Sequence, residues 1–222
     1  MDYPRLLAEL NNNSDEKYRG FHRKLLNNPS LNVIGVRVPV LRKIAANFKG
    51  EEQVLLSFPN EIYEVKFIKL VAAAKLKYEE FIEVVDYCVG IIDNWAANDC
   101  FLPKCVKTHR DEFLPYIRKY LAVDKEFYQR FALTTLLSSY VEDNYLPVVL
   151  DCVSRADTRY YYVHMAAAWL VAEVLIKRFD DGVKFLNAGS LDAKTHNKAI
   201  QKARESFRLT QEQKQFLQGL KR

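Results

Sequence analysis

Four side chains suited to charged substrates recur at regular intervals in the sequence. Trp95 and Asp99 are four residues apart, so on a helix they project from the same face. Arg130 follows Asp99 by 31 residues, and Trp169 follows Arg130 by 39. Two aromatic faces beside a carboxylate suit a cationic or electron-poor ring, and a guanidinium suits a phosphate. Helices stacked at this spacing would bring all four side chains to one groove.

The segments that carry these residues have the pattern of helices rich in small side chains. Their centres lie near positions 66, 97, 131, 165 and 199, about 31 to 34 residues apart, which is the length of a two-helix unit. Inside them apolar residues recur at helical spacing, as at Val65, Ile68 and Val71. The sequence therefore predicts an all-α fold, a single domain over residues 1–222 built as a solenoid with a concave inner groove. The alternative is an irregular helical bundle with accidental spacing.

Proline steps divide the chain between these segments. Phe58–Pro59, Leu114–Pro115 and Leu146–Pro147 each bias the residue before the proline away from helix, so we expect a break at each. Residues 32–40 are the nearest approach to a strand pattern, and we interpret them as an extended connection that enters a helix at Pro39. The second helix of the third unit should bury Phe131, Leu133, Leu136, Leu137 and Tyr140.

Composition excludes several classes of protein. Glycine is scarce, with 7 among 222 residues, and neither a Walker nor a Rossmann phosphate loop occurs. The four cysteines, at positions 88, 100, 105 and 152, form no CxxC pair, so we expect reduced thiols and no metal site. No secretory signal pattern or membrane-length apolar run is present, and we expect a cytoplasmic protein.

Basic charge lies toward the two ends of the chain. Residues 1–50 and 151–222 each carry a net charge of +5, whereas residues 51–100 carry −6. A polyanion could bind such basic ends. The candidate contacts on the DNA-facing surface are Lys66, Lys69, Lys194, Lys198 and Lys202, and the alternative for these lysines is a solvated helix face.

Four stretches together resemble the AlkD-like DNA alkylation repair family, whose fold is a solenoid of HEAT-like helical repeats. They are IGVRVPVLRKIA (34–45), NWAAND (94–99), YQRFAL (128–133) and HMAAAWLVAE (164–173). The resemblance extends from about residue 15 to residue 210. It implies a DNA glycosylase that hydrolyses the N-glycosidic bond of cationic N3- or N7-alkylated purines in duplex DNA.

The resemblance also implies a role for each of the four residues. Trp95 and Trp169 would pack against the sugar–phosphate backbone around the lesion, and Arg130 would contact a phosphate. Asp99 would stabilise the cationic sugar or position the attacking water. We expect a monomer that acts on alkylated double-stranded DNA without a metal or a small-molecule cofactor.

Three departures from the family pattern leave other functions open. The region between Arg42 and Lys66 is short, and Met165 and Ala172 stand where basic backbone contacts would be expected. The first alternative is therefore a catalytically inactive HEAT-like repeat protein that binds DNA or another partner through the same groove. The second is a protein-interaction solenoid with no nucleic-acid partner.

Overall fold

The computed structural model describes residues 1–222 and contains fourteen α-helices and no β-strand. The helices are α1 (Tyr3–Asn12), α2 (Glu16–Leu26), α3 (Val38–Ala46), α4 (Glu52–Ser57), α5 (Tyr63–Ala73), α6 (Tyr78–Gly90), α7 (Trp95–Cys100), α8 (Arg110–Leu121), α9 (Glu126–Ser139), α10 (Leu146–Ser154), α11 (Tyr161–Lys177), α12 (Phe179–Asn187), α13 (Ala193–Glu205) and α14 (Gln211–Gly219). Short 3₁₀ helices at Lys104–Thr108 and Asp143–Tyr145 precede α8 and α10. The all-α prediction is confirmed. No helix combines the length and the apolar character needed to cross a membrane.

The helices group into two compact units, Met1–Cys105 and Val106–Arg222, here called the N-terminal and C-terminal units. The N-terminal unit holds 14 basic and 14 acidic residues, and the C-terminal unit holds 19 and 14. The whole net charge of +5 therefore belongs to the C-terminal unit. That residues 1–222 form a single domain stays a prediction.

Short polar side chains fix where several helices begin. Such a cap accepts a hydrogen bond from the backbone N–H three residues later, which satisfies a donor that the first helical turn leaves open. Asp2, Asp15, Asn94, Asp192 and Thr210 act in this way at α1, α2, α7, α13 and α14.

The predicted helix break at Pro115 is wrong. Pro115 lies inside α8, where it removes one backbone donor from the helix. Phe113 and Ile117 on either side of it are fully buried, and α8 packs along α9. Burial of this apolar face outweighs the missing hydrogen bond. At Phe58–Pro59 a helix ends as expected, with Phe58 extended. At Leu146–Pro147 the expected bias is wrong, because Leu146 is helical and is the first residue of α10.

In the N-terminal unit, α5 is the central helix. It packs against α3, α4, α6 and α7, and all eleven of its residues are buried. Val65, Ile68 and Val71 are buried as predicted, but the burial is not confined to one stripe. A helix with neighbours on every side has no solvent face, so its polar side chains must also find partners inside the unit.

The connection before α3 is extended, as predicted, and a buried carboxylate of α5 holds it. Glu64 accepts hydrogen bonds from the backbone N–H groups of Ile34 (3.0 Å), Gly35 (2.7 Å) and Val36 (3.3 Å). Gly35 has a φ of 99°, and an added Cβ would lie 2.6 Å from Cβ of Arg19. Glycine is therefore required where this connection passes α2.

The C-terminal unit repeats one arrangement of paired helices. Here α8 packs on α9, α10 and α12 pack on α11, and α14 packs on α13, while α11 itself lies between α9 and α13. The segments centred near 131, 165 and 199 are thus α9, α11 and α13, side by side. Phe131, Leu133, Leu136 and Tyr140 are fully buried and Leu137 is half-buried. The predicted helical repeat is confirmed within this unit.

Candidate functional site

In the N-terminal unit, the short helix α7 carries both Trp95 and Asp99. Trp95 is the first residue of the helix, is half-buried, and donates a hydrogen bond from Nε1 to the Leu25 carbonyl oxygen (3.3 Å). Asp99 is half-buried, and its Oδ1 accepts a hydrogen bond from the side-chain amide of Asn98 (3.0 Å). One helical turn separates the two residues, so a partly desolvated carboxylate lies on the same helix face as an indole.

A buried polar cluster fixes the start of α7. The Asn94 side chain is almost fully buried, accepts a hydrogen bond from the backbone N–H of Ala97 (2.9 Å) and donates one to Oδ1 of Asp93 (2.9 Å). Asp93 forms an ion pair with Lys66 of α5. The position of Trp95 and Asp99 is therefore tied to the central helix of this unit.

Two lysines that were predicted to face DNA are buried in α5. Lys66 is engaged by Asp93, and Lys69 is fully buried. The Lys69 nitrogen lies within hydrogen-bond distance of four acceptors, which share its three N–H groups: the Leu56 carbonyl (3.0 Å), the Phe58 carbonyl, Asn60 Oδ1 (2.8 Å) and Tyr87 Oη (2.8 Å). Both lysines hold segments of the N-terminal unit together, and the surface of α5 offers no free ammonium for a phosphate.

In the C-terminal unit, Arg130 is only 5% exposed and lies against α11. Its Nη1 donates to the Tyr162 carbonyl oxygen (2.9 Å), and its Cζ lies 5.7 Å from the centroid of the Tyr162 ring. The guanidinium is thus oriented by the start of α11, with its carbon chain inside the unit.

Trp169 differs from Trp95 in its surroundings. Its side chain is 43% exposed and makes no hydrogen bond and no ring contact within the C-terminal unit. Tyr161 is also exposed and lies eight residues earlier on α11, with Met165 midway between them. At steps of four residues these side chains share one helix face, which presents aromatic surface to solvent.

Three predicted lysines follow the same spacing on α13. Lys194 is exposed and has no carboxylate partner, Lys198 contacts only Oε1 of Gln201 (3.2 Å), and Lys202 pairs with Glu205 (2.9 Å). The α11–α13 face is our name for five side chains of these two helices, of which three are exposed and two, Lys198 and Lys202, are half-buried. Its members are Tyr161, Trp169, Lys194, Lys198 and Lys202.

Two outcomes around these helices differ from the sequence prediction: Tyr161 and Lys221 were not predicted, and position 172 was wrongly expected to be basic. Tyr161 and Lys221 line a pocket together with Lys194 and Lys198. The one sequence signal that could have identified Tyr161 is its spacing of eight residues from Trp169. The expectation that a basic residue belongs at position 172 is wrong, because Ala172 is only 2% exposed and a lysine there would point into packed helices.

The fold is all-α, and its C-terminal unit of paired helices carries the net positive charge together with the exposed aromatic side chains Tyr161 and Trp169. The chain belongs to the family described as DNA alkylation repair enzyme, because the model of that family matches residues 5–208 of 222. No curated protein sequence matches the chain significantly. Membership of the family gives the protein a role in DNA alkylation repair and indicates DNA as its partner.

Proposed function

We propose that this protein is a cytoplasmic DNA glycosylase that removes cationic N3- or N7-alkylated purines from duplex DNA. The observation that carries the proposal is Asp99, a half-buried carboxylate on the helix that also carries Trp95. The family match over residues 5–208 supports the class of reaction. The buried cap at Asn94 supports a fixed orientation for both side chains.

The chemistry requires few groups because the substrate base is already cationic. When the bond between C1′ and the purine nitrogen breaks, its electron pair leaves with the base, which departs as a neutral purine. Positive charge then develops on the sugar, where the Asp99 carboxylate stabilises it. Water adds to C1′ and releases a proton to the carboxylate or to solvent. One preorganised contact of this kind contributes about 3 to 4 kcal/mol, judged from deletions in oxyanion holes.

The DNA backbone needs a cationic surface, and the C-terminal unit carries the net charge of the chain. Lys194 and Lys198 supply accessible ammonium groups, and Trp169 and Tyr161 supply apolar surface for the sugars. Each phosphate that such a lysine neutralises makes the slope of log affinity against log salt more negative by about 0.9. We assign Arg130 to a backbone phosphate on the family match alone, because its side chain is only 5% exposed and donates to the Tyr162 carbonyl oxygen.

The experiment measures release of free purine from methylated duplex DNA by the wild-type chain and by Asp99→Asn. Glu83→Gln is the matched control, because Glu83 is an exposed carboxylate of the same unit with no partner. Release by the wild type and by Glu83→Gln, but not by Asp99→Asn, supports excision by Asp99. Equal release by all three proteins rejects it.

A second function, recognition of damaged DNA without excision, is favoured by the burial of Lys66 and Lys69. Because both lysines are engaged internally, helix α5, which packs against the Asp99 helix α7, offers no free ammonium to a phosphate. Under this function the wild type binds methylated duplex in a salt-dependent manner and releases no base.

A further inference from the structure

An open pocket of about 390 Å³ lies between α11 and α13 in the C-terminal unit. Its polar lining consists of Tyr161 and His164 from α11, Lys194, Asn197, Lys198 and Gln201 from α13, and Lys221. No side-chain carboxylate lines it, and the Asn197 amide donates a hydrogen bond to the backbone oxygen of Arg222 (2.6 Å). Its charge and size therefore favour an anionic group.

The cations of the pocket are largely unpaired. The ammonium groups of Lys194 and Lys221 make no hydrogen bond and no ion pair, and Lys198 contacts only the side-chain amide oxygen of Gln201. Three ammonium groups around one opening repel one another. Binding of an anion would relieve this repulsion, whereas an ordinary surface lysine gains little from a partner.

A hydrogen-bond chain fixes the tautomer of His164, which lines this pocket. The Asp192 carboxylate accepts hydrogen bonds from the hydroxyl groups of Thr195 (2.6 Å) and Thr158 (2.8 Å). Burial acts to raise the pKa of Asp192, but the hydrogen bonds from Thr195 and Thr158 lower it to about 2, so this carboxylate is ionised and can only accept. Thr195 therefore has its single proton directed at Asp192.

It follows that Thr195 Oγ1 must accept the hydrogen bond that it shares with Nδ1 of His164 (2.8 Å). The proton of the neutral imidazole is then on Nδ1, and Nε2 presents a lone pair. His164 is only 2% exposed, yet its Nε2 has no hydrogen-bond partner and, unlike Nε2 of His22, is not sealed from solvent. A nearly buried basic nitrogen thus lies at a pocket lined by cations.

We propose that this pocket binds a phosphate group of the DNA backbone and that His164 takes up one proton from solvent when the phosphate binds. The proton adds to Nε2, which then donates a hydrogen bond to a phosphate oxygen, while Nδ1 keeps its bond to Thr195. The proposal rests on DNA as the partner of the proposed function, and it does not depend on base excision.

The electrostatics around His164 explain why protonation and binding are coupled. Burial lowers the pKa of His164, and Lys194 and Lys198 lower it further, while Asp192 acts in the opposite direction. Tyr161 and Lys221 are the other titratable groups at the pocket. A bound phosphate cancels the field of the lysines and stabilises the imidazolium, so the pKa of His164 is higher in the complex than in the free protein. Affinity must therefore rise as the pH falls between these two values.

The first test measures binding of an undamaged duplex from pH 5.5 to 8.5 at constant ionic strength. We expect the affinity of the wild type to rise as the pH falls, with a slope that approaches tenfold per pH unit and does not exceed it, because one proton is taken up. His164→Gln should lose this pH dependence. The control His109→Gln, which replaces the histidine at the N-cap of α8, should keep it. An unchanged pH profile in His164→Gln overturns the proposal.

A second measurement keeps the test decisive if His164→Gln folds poorly. In the wild-type protein, the imidazole signals of His164 are followed by NMR during titration with inorganic phosphate and, separately, with duplex DNA. We expect an Nδ1–H tautomer in the free protein and an increase in its pKa with both ligands. An Nε2–H tautomer, or a pKa that neither ligand moves, overturns the proposal; a response to inorganic phosphate but not to DNA assigns the pocket to a free phosphate instead of the backbone.

The pocket and the proposed enzyme activity fail in different ways. Loss of the pH dependence in His164→Gln, with no base released by the wild type, supports the phosphate site and rejects the glycosylase. Base release by the wild type, together with a binding constant that does not depend on pH, supports the glycosylase and rejects the phosphate site.

Discussion

Replacement of Asn94 by alanine tests whether the cap of α7 positions the proposed excision residues. Loss of an N-cap side chain costs about 1 kcal/mol. The backbone N–H of Ala97 would in addition lose its 2.9 Å partner inside the unit, and an unsatisfied buried donor costs about 1 to 3 kcal/mol. These two costs overlap, so we expect the free energy of unfolding to fall by about 2 kcal/mol and Tm by about 4 to 8 °C.

The same change should reduce excision by more than the loss of stability explains. Helix α7 has only six residues, and Trp95 and Asp99 both lie within its first five. A shift of about 1 Å at a reacting group costs as much as a hundredfold in rate. We expect single-turnover release of alkylated purine at 25 °C, where the variant stays folded, to fall by tenfold to a hundredfold.

Two variants separate positioning from stability. Thr210→Ala removes the cap of α14, which carries no proposed excision residue, and should lower Tm while leaving excision intact. Asn94→Ser keeps a capping oxygen and should restore most of the activity. If Asn94→Ala and Thr210→Ala lose excision to the same small extent, the cap of α7 does not position the site and the reasoning is refuted.

Three other predictions concern single side chains. Trp169→Ala should weaken duplex binding measured by fluorescence anisotropy and should lower Tm by less than Trp95→Ala, because Trp169 is 43% exposed and makes no hydrogen bond, whereas Trp95 is half-buried and bonds to Leu25. The reverse order of Tm would contradict the site. Glu64→Gln should cost about 2 kcal/mol in denaturant unfolding, because three backbone donors lose a charged acceptor, and an unchanged midpoint would show that the connection before α3 is held by other contacts. The pKa of Asp192 is lowered from its ordinary value of 3.8 to about 2, so this carboxylate stabilises the fold fully above pH 3.8 and loses that effect as the pH falls through 2. Asp192→Asn should therefore weaken the dependence of the free energy of unfolding on pH between pH 4 and 2. An unaltered pH dependence would contradict this.

The sequence was sufficient to predict the helices that carry the proposed site. The spacing of small-residue segments located α5, α7, α9, α11 and α13, and the four-residue step placed Trp95 and Asp99 on one helix face. These predictions rest on local periodicity, which a helix retains wherever it packs. The extended conformation of residues 32–37 was also predicted from local pattern, because this segment comes nearest to the alternation of a strand.

Burial of individual polar residues could not be predicted in this way. Lys69 and Lys194 are equally charged in the sequence, but α5 is surrounded by four helices while α13 keeps an exposed face. Pro115 lies within helix α8 because this helix packs against α9. The residues next to Pro115 in the sequence do not reveal that packing. The Nδ1–H tautomer of His164 depends on hydrogen bonds that involve Asp192 and Thr195, which are 28 and 31 residues away in the sequence. Only the folded chain brings these residues together.

The central claim is that the Asp99 carboxylate stabilises positive charge while a cationic purine departs. The most direct measurement compares single-turnover release of N7-methylguanine and of hypoxanthine, an uncharged base, from matched duplexes by the wild type and by Asp99→Asn. We predict rapid release of the cationic base by the wild type, a fall of about 10² to 10³ in Asp99→Asn, and little release of the neutral base by either. Release of N7-methylguanine at the same rate by both proteins, or by neither, would contradict the account.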